Sequence, residues 1–299
     1  MNVDSVFING SAHLVCQDYA ASGINQPQES RHDNRAYAII SDGCSSSPDT
    51  DIGSRLLTKT AEQLFQSLSN LSIQTIESIH QKASNFALGH ARALGLSPNC
   101  VDATLLSLHA SSNTIFAACS GDGVIVFQSN TGLIDAYVIT FPRGFPLYPS
   151  YVHQPDRLAA LSGDQRIKEV RHYQNTGANG SLALHRVHES SSITEIFHSP
   201  TENNRLAAIF TDGILSFSGL VQTQTSKSVI SIPIEEVLLD FLSFKSLNGT
   251  FLRRRFKRVR EEYRRKGWIN QDDLGCGILY FGTPNNISEE ALATSPHED

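Results

Sequence analysis

The sequence predicts an α+β protein, and three observations carry that prediction. Apolar residues recur with helical spacing at two places near the start, about 51–69 and 73–93, and at two near the end, about 234–246 and 250–266. Short apolar, partly β-branched segments fill the space between. They are separated by turn residues rather than by further helices, which favours antiparallel pairing over a βαβ repeat.

The elements follow in order. Residues 3–15 read as a strand entering an acidic turn, and 21–35, rich in Gly, Asn, Gln, Pro and charge, as a loop. Residues 36–41 form a buried strand. In the helix that follows, Ile52, Leu56, Leu64 and Leu68 define the apolar stripe, with Asp49 or Thr50 as N-cap. The second helix places Ile76, Ile79, Ala83, Phe86 and His90 three or four residues apart. Segments 103–109, 114–120, 124–128 and 133–140 read as an antiparallel meander, because Ser-Ser-Asn, Gly-Asp-Gly and Asn-Thr-Gly suit tight turns. Residues 141–181 carry Pro142, Pro146, Pro149 and Pro155 and read as irregular loops. Strands resume at 182–188, 193–198 and 206–211, and 274–281 closes the set. The polar segment 283–299 is expected to be a disordered tail.

Several of these strands end at carboxylates. Ala36–Ser41 stops at Asp42-Gly43, and 206–211 at Asp212-Gly213; Asp272-Asp273 precedes the last strand, and Asp18 follows Cys16-Gln17. Asp-Gly after a strand is usually only a turn. Several strand-end acids meeting at one rim would instead make an oxygen-rich site for a hard divalent cation.

The chain resembles the metal-dependent Ser/Thr protein phosphatases of the PPM (2C-like) type, and within them the compact bacterial branch. Five segments match in order: Cys16-Gln-Asp18-Tyr-Ala, Ile40-Ser-Asp42-Gly43, Asp102-Ala-Thr104-Leu-Leu, Ser120-Gly-Asp122-Gly and Phe210-Thr-Asp212-Gly213. Asp272-Asp-Leu-Gly-Cys-Gly-Ile-Leu is the sixth. The resemblance implies an α-β-β-α sandwich, two central antiparallel sheets flanked by helix pairs, which agrees with the order of elements read above. It implies a single domain over 1–282, with a flap-like segment at 141–181. It also implies a cytoplasmic hydrolase that removes phosphate from phosphoserine or phosphothreonine, using two Mn²⁺ or Mg²⁺ ions and a possible third. Carried over, Asp42 would bridge the two ions and the Gly43 carbonyl would reach the second. Asp212 and Asp272 would complete the first ion's shell, Asp18 would support the second, and Asp122 the third. Asp273 is expected to act structurally.

The chemistry accounts for such a set. Phosphate monoesters hydrolyse so slowly that acceleration approaches ~10²¹-fold, whereas one general base supplies roughly 10²–10⁴. Paired cations that activate a water and neutralise charge at phosphorus can supply more.

Two positions depart from the family pattern. An arginine often precedes the first acid, but here the stretch reads Gly10-Ser-Ala-His13-Leu-Val-Cys-Gln. His13 is the candidate phosphate contact, with Arg31, Arg35 and Arg143 as alternatives. Gln17 stands where a glutamate is common. A catalytically weak or inactive relative that binds or regulates a phosphoprotein is therefore the alternative reading.

Composition narrows the partners. A net charge of −6 gives no general attraction to nucleic acid or anionic membrane. No apolar run nears the ~18 residues of a membrane span. Five scattered cysteines (16, 44, 100, 119, 276) without Cys-x-x-Cys suit a reducing compartment. The basic run from Arg253 to Lys266 is the one feature that would support a metal-dependent nuclease or phosphodiesterase, and the acidic net charge opposes that reading. Leu252, Phe256, Val259 and Tyr263 instead form one stripe, so it reads as a core-facing helix with a solvated basic face. A phosphoprotein substrate and a cognate Ser/Thr kinase are the expected partners.

Overall fold

The computed structural model describes residues 1–25, 35–68, 70–142, 145–175, 181–222 and 227–282. The segment 283–299, together with Arg31 and Arg143, lies outside the described residues.

Two-residue alternation, helical periodicity and turn chemistry build fifteen strands and five α-helices among the described residues. The strands are β1 (Asn2–Ile8), β2 (Tyr19–Asn25), β3 (Arg35–Ser41), β4 (Leu105–Ala110), β5 (Thr114–Ser120), β6 (Gly123–Ser129), β7 (Ile134–Thr140) and β8 (Lys168–Asn175). They continue as β9 (Leu182–Ser190), β10 (Thr194–Pro200), β11 (Asn204–Phe210), β12 (Phe217–Gln222), β13 (Lys227–Ser231), β14 (Trp268–Asn270) and β15 (Leu274–Tyr280). The helices are α1 (Thr50–Gln66), α2 (Ile73–Ala93), α3 (Pro155–Ala160), α4 (Ile234–Leu242) and α5 (Phe251–Arg265).

Two antiparallel sheets form the centre. One has the order β1-β15-β11-β6-β7-β8-β9, the other β10-β5-β4-β3-β2. Ala38, Ile40, Leu106, Leu108, Ile125 and Ile209 fill the seam between them. Outside the five-stranded sheet, Leu57, Ala61 and Phe65 of α1 and Ile76, Ile79 and Ala83 of α2 pack on Tyr37, Ile39 and Leu105. Outside the seven-stranded sheet, α4 and α5 cover Val124, Val126, Phe210 and Ile278. This is the expected α-β-β-α sandwich.

Four expectations change. β1 ends at Ile8, because Gly10 must lie against the Asp272 backbone: a Cβ there would sit 2.2 Å from the Asp272 carbonyl carbon. Residues 19–25 are strand rather than loop, paired along their length with β3. The expected meander is split between the sheets: β4 and β5 pair in one, β6 and β7 in the other. The Ser120-Gly-Asp122-Gly turn is thus the crossing between layers. Finally, 168–175 is a ladder strand, and β12, β13 and β14 form a third small sheet that the sequence reading missed.

The helical stripes also shift. In α1 the buried residues are Leu57, Ala61 and Phe65, while Ile52 is exposed and Asp49 makes no side-chain cap bond. In α2, Phe86 and His90 face solvent, whereas Ser72 and Thr75 form a reciprocal capping box. The α5 stripe of Leu252, Phe256, Val259 and Tyr263 is buried as expected.

Candidate metal centre

Each acid is delivered by a strand end at the same rim of the sandwich. Asp42 follows β3, and Thr104 fixes both of its peptide groups: the Asp42 N–H donates to Thr104 Oγ1 (3.1 Å), and the Thr104 N–H to the Asp42 carbonyl (2.8 Å). Gly43 follows because α1 starts directly above it; a Cβ there would lie 2.6 Å from the Thr50 carbonyl oxygen. The Gly43 N–H donates to the Gln17 carbonyl, which draws in the turn carrying Asp18.

Asp212 and Asp272 come from the other sheet. Gly213 lets their two turns touch, since a Cβ on it would be 1.7 Å from the Asp273 carbonyl oxygen. Asp273 is buried and accepts hydrogen bonds from the Gly10 N–H (2.8 Å) and the Gln17 N–H (2.6 Å). It therefore ties the N-terminal loop to the lip of β15. A further staple crosses the seam: Thr211 Oγ1 donates to Asp18 Oδ2 (2.7 Å) and accepts from the Gly275 N–H (2.8 Å).

Electrostatics order the acids. The Asp42 carboxyl is electrostatically linked to both Asp18 and Asp212. Burial first, then the charges of Asp18, Asp212 and Asp122, push Asp42 well above the usual carboxylate range. Burial raises Asp18 to about 7, against hydrogen bonds from Asp42 and Thr211. Asp212 is raised by burial and by Asp272, and Asp122 by burial and by Asp212. Like charges gathered this closely take up protons unless a cation replaces them.

The donor set fits such a cation. Among the described residues, the buried Oδ1 atoms of Asp18, Asp122 and Asp212 receive no hydrogen bond. Buried carboxylate oxygens are costly without a partner. Among the same residues, no three Asp, Glu, His or Cys side chains already converge on one ion-sized point.

His13 stands at the edge of this group. Its Nδ1 is 3.0 Å from Asp273 Oδ2 and its Nε2 3.5 Å from Asp272 Oδ1, and the bond to Asp273 raises its pKa. Arg35 does not belong to the site. It opens β3 at the end opposite Asp42, and its guanidinium donates to the Leu68 carbonyl (2.7 Å).

Sequence reasoning missed two contributors. Asp102 is 1% exposed and receives a two-pronged ion pair from Arg157, at 2.6 and 2.8 Å, as well as a bond from Ser47 Oγ (2.8 Å). Arg157 also lies over the Tyr151 ring, 4.4 Å from its centroid. Through this pair, and through packing of Tyr148 and Tyr151 with Cys44, the 145–166 segment is fastened beside Asp42. The missed signal was a lone acid opening Asp102-Ala-Thr104, whose partner lies 55 residues away.

Comparison with known proteins gives the same picture. The family model described as protein phosphatase 2C matches residues 10–144. No curated protein matches the chain in sequence. Among solved structures, a bacterial serine phosphatase aligns with a TM-score of 0.52 at 10% identity, covering 94% of this chain and 98% of that one. The serine/threonine phosphatase Stp1 of Staphylococcus aureus gives 0.51 at 11% identity, with 95% and 96% covered. That of S. agalactiae gives 0.51 at 10% identity, with 94% and 99% covered. Over 10–144 the sequence is similar to the protein phosphatase 2C family, and over nearly its whole length the fold is similar to that of bacterial serine/threonine phosphatases.

Proposed function

We propose that the chain is a metal-dependent phosphoprotein phosphatase that releases phosphate from phosphoserine and phosphothreonine. The observation that carries this reading is the position of Asp42, which feels the charge of Asp18 at the end of its own sheet and of Asp212 at the end of the other. That is the placement a carboxylate shared by two cations requires. The family generally works with Mn²⁺ or Mg²⁺, and we assign Asp42, Asp212 and Asp272 to one ion. Asp42, the Gly43 carbonyl and Asp18 are assigned to a second, and Asp122 to a third. When bound, such ions supply an acidified water nucleophile and charge neutralisation at phosphorus.

The chain's own residues prepare the site. Thr211 occupies Asp18 Oδ2 and leaves Oδ1 for a cation. Asp273 holds the His13 loop and the Gln17 turn in register. His13, 22% exposed at the side chain, places a cation beside Asp272, where the phosphate of a substrate would approach. Gln17 spends its side-chain N–H on Thr50 Oγ1 (2.9 Å), so it adds no negative charge to the rim.

The test is release of inorganic phosphate from a phosphothreonine peptide with Mn²⁺ present, by wild type and Asp42→Asn. The variant is expected to keep less than about a tenth of wild-type turnover. Without metal it should melt about 2–4 °C higher, because one of the crowded carboxylates is gone. A variant that retains turnover refutes the shared-ligand assignment. Wild type that binds Mn²⁺ and phosphopeptide but releases no phosphate would be the non-catalytic relative.

A further inference from the structure

A cleft of about 770 Å³ lies away from the acids, between α5 and the edge strand β1. Its walls are residues 5–8 of β1, Ala20, and the α5 residues Arg253, Lys257, Arg260 and Arg264, with Glu261 as its one acid. The four cations are four, three and four residues apart, so they share one helical face. All four are exposed.

The other cations of this segment, Arg265 apart, are engaged. Arg254 donates to the Asn248 carbonyl and Arg255 to the Asp240 carbonyl; Arg258 pairs with Glu262 at 2.8 Å, and Lys266 lies over Trp268. Arg253, Lys257, Arg260 and Arg264 have no hydrogen-bond or ion-pair partner among the described residues. A row of four free cations on a chain of net charge −6 is a local exception to the charge of the whole.

Two of the residues lining the cleft lie on strands that lead to the candidate metal centre. Ile8 pairs with Leu274, which directly follows Asp273, and Ala20 lies two residues after Asp18. From Arg253 to Arg264 the row spans about 16 Å, which matches roughly five residues of extended chain. Val6, Phe7 and Phe256 give the cleft an apolar floor beneath the charges.

We propose that this cleft docks an acidic, extended segment flanking the phosphoresidue of a phosphoprotein substrate. The inference rests on the phosphatase reading and adds a substrate class to it: phosphoproteins whose phosphosite is accompanied by several Asp or Glu residues. Four exposed charge pairs at a few tenths of a kcal/mol to 1 kcal/mol each correspond to about a tenfold preference or more. The preference should shrink in salt, because screening acts over about 8 Å at physiological ionic strength.

The experiment compares two phosphothreonine peptides that differ only in flanking Glu against Gln, using the full chain with Mn²⁺. Wild type should favour the acidic peptide about tenfold in kcat/KM, through KM. The quadruple substitution Arg253→Glu, Lys257→Glu, Arg260→Glu and Arg264→Glu should bring that ratio to one or below. Should the quadruple variant misfold, Lys257→Gln with Arg260→Gln should reduce the ratio severalfold. Equal kinetics for both peptides in wild type would overturn the proposal.

A binding arm separates this failure from failure of the phosphatase reading. A fluorescent, unphosphorylated acidic peptide should bind wild type, and bind at least tenfold more weakly to the variant, whether or not phosphate is released. No binding, or equal binding, overturns the docking proposal on its own. Tighter binding by a full chain carrying Glu289→Gln, Glu290→Gln, Glu298→Gln and Asp299→Asn would overturn it too, by making the chain's own acidic segment the occupant. So would a single-stranded oligonucleotide that displaces the peptide at lower concentration than unlabelled peptide does.

Discussion

Two histidines beneath α2 make a quantitative case for acid sensitivity. His80 is buried between helix and sheet, with Nδ1 2.8 Å from Ser120 Oγ and Nε2 2.8 Å from Ser107 Oγ. Its neighbour His109 packs in a tilted arrangement against Phe65, ring centroids 4.3 Å apart, and neither ring nitrogen has a partner among the described residues. Burial lowers both to about 3, with His80 adding to the effect on His109. The folded pKa lies below the unfolded value near 6.5, so the unfolded chain binds more protons between these limits. Stability is therefore lost as pH falls through 6.5. From pH 7 to pH 5 each ring costs about 2 kcal/mol, roughly 4 for the pair, within a total stability of about 5–15 kcal/mol. The rim acids act in the opposite direction, since Asp18 at about 7 takes up its proton on folding. Urea midpoints of wild type and His109→Phe, measured from pH 7.5 to 5 with chelator, cancel that shared contribution. The difference between the two should grow by about 2 kcal/mol toward pH 5 in favour of the variant. Parallel curves would refute the burial argument.

Two further substitutions probe the scaffold around the acids. Arg157→Leu removes the partner of Asp102, a carboxylate 1% exposed, and should cost about 3 kcal/mol in urea unfolding; a loss under 1 kcal/mol would mean that Ser47 alone sustains it. Gly213→Ala forces a Cβ to within 1.7 Å of the Asp273 carbonyl oxygen, whereas Gly95, at φ 73°, has open space around it. Thermal melts should show Gly95→Ala losing about 1 kcal/mol and Gly213→Ala several times more, and equal losses would contradict the close approach of the two turns.

The parts of the fold that could be read from sequence are those whose local pattern agrees with their packing. The α5 stripe was legible because the hydrophobic period and the buried face coincide at Leu252, Phe256, Val259 and Tyr263. In α1 the larger residues Ile52 and Leu56 suggested one stripe, while Leu57, Ala61 and Phe65, one position on, face the core. Small residues such as Ala61 bury well but carry little periodic signal. The split of the expected meander was hidden because Gly121-Asp122-Gly123 suits a hairpin as well as a crossing; only the partners of β5 and β6 decide between them. The strand β8 was obscured by charge, since Lys168, Glu169, Arg171 and His172 alternate with Val170 and Tyr173 on a half-covered edge region. At the site, the strand-end acids were legible through Asp-Gly and its order along the chain. The Arg157–Asp102 pair was not, since a contact between distant residues leaves no local pattern.

The placement of the acids also explains why their cost is tolerated. Asp18 and Asp42 belong to strands of the five-stranded sheet, Asp212 and Asp272 to the seven-stranded one, and Asp122 to the crossing between them. Repulsion among them therefore acts between neighbours at the end of each ladder, Asp18 with Asp42 and Asp212 with Asp272, and also across the seam, between Asp42 and Asp212. The same seam is closed below by residues such as Ile40, Leu106, Ile125 and Ile209, each with no exposed surface. At the rim it is closed by neutral bonds from Thr211 to Asp18, from the Gly43 N–H to Gln17, and from two N–H groups to Asp273. Charge taken up at the rim thus strains a joint that the core already holds. A cation binding there relieves repulsion between the layers and adds its affinity to their cohesion. A melting temperature that rises with Mn²⁺ concentration is the expected sign of this linkage, and one that stays constant would contradict it.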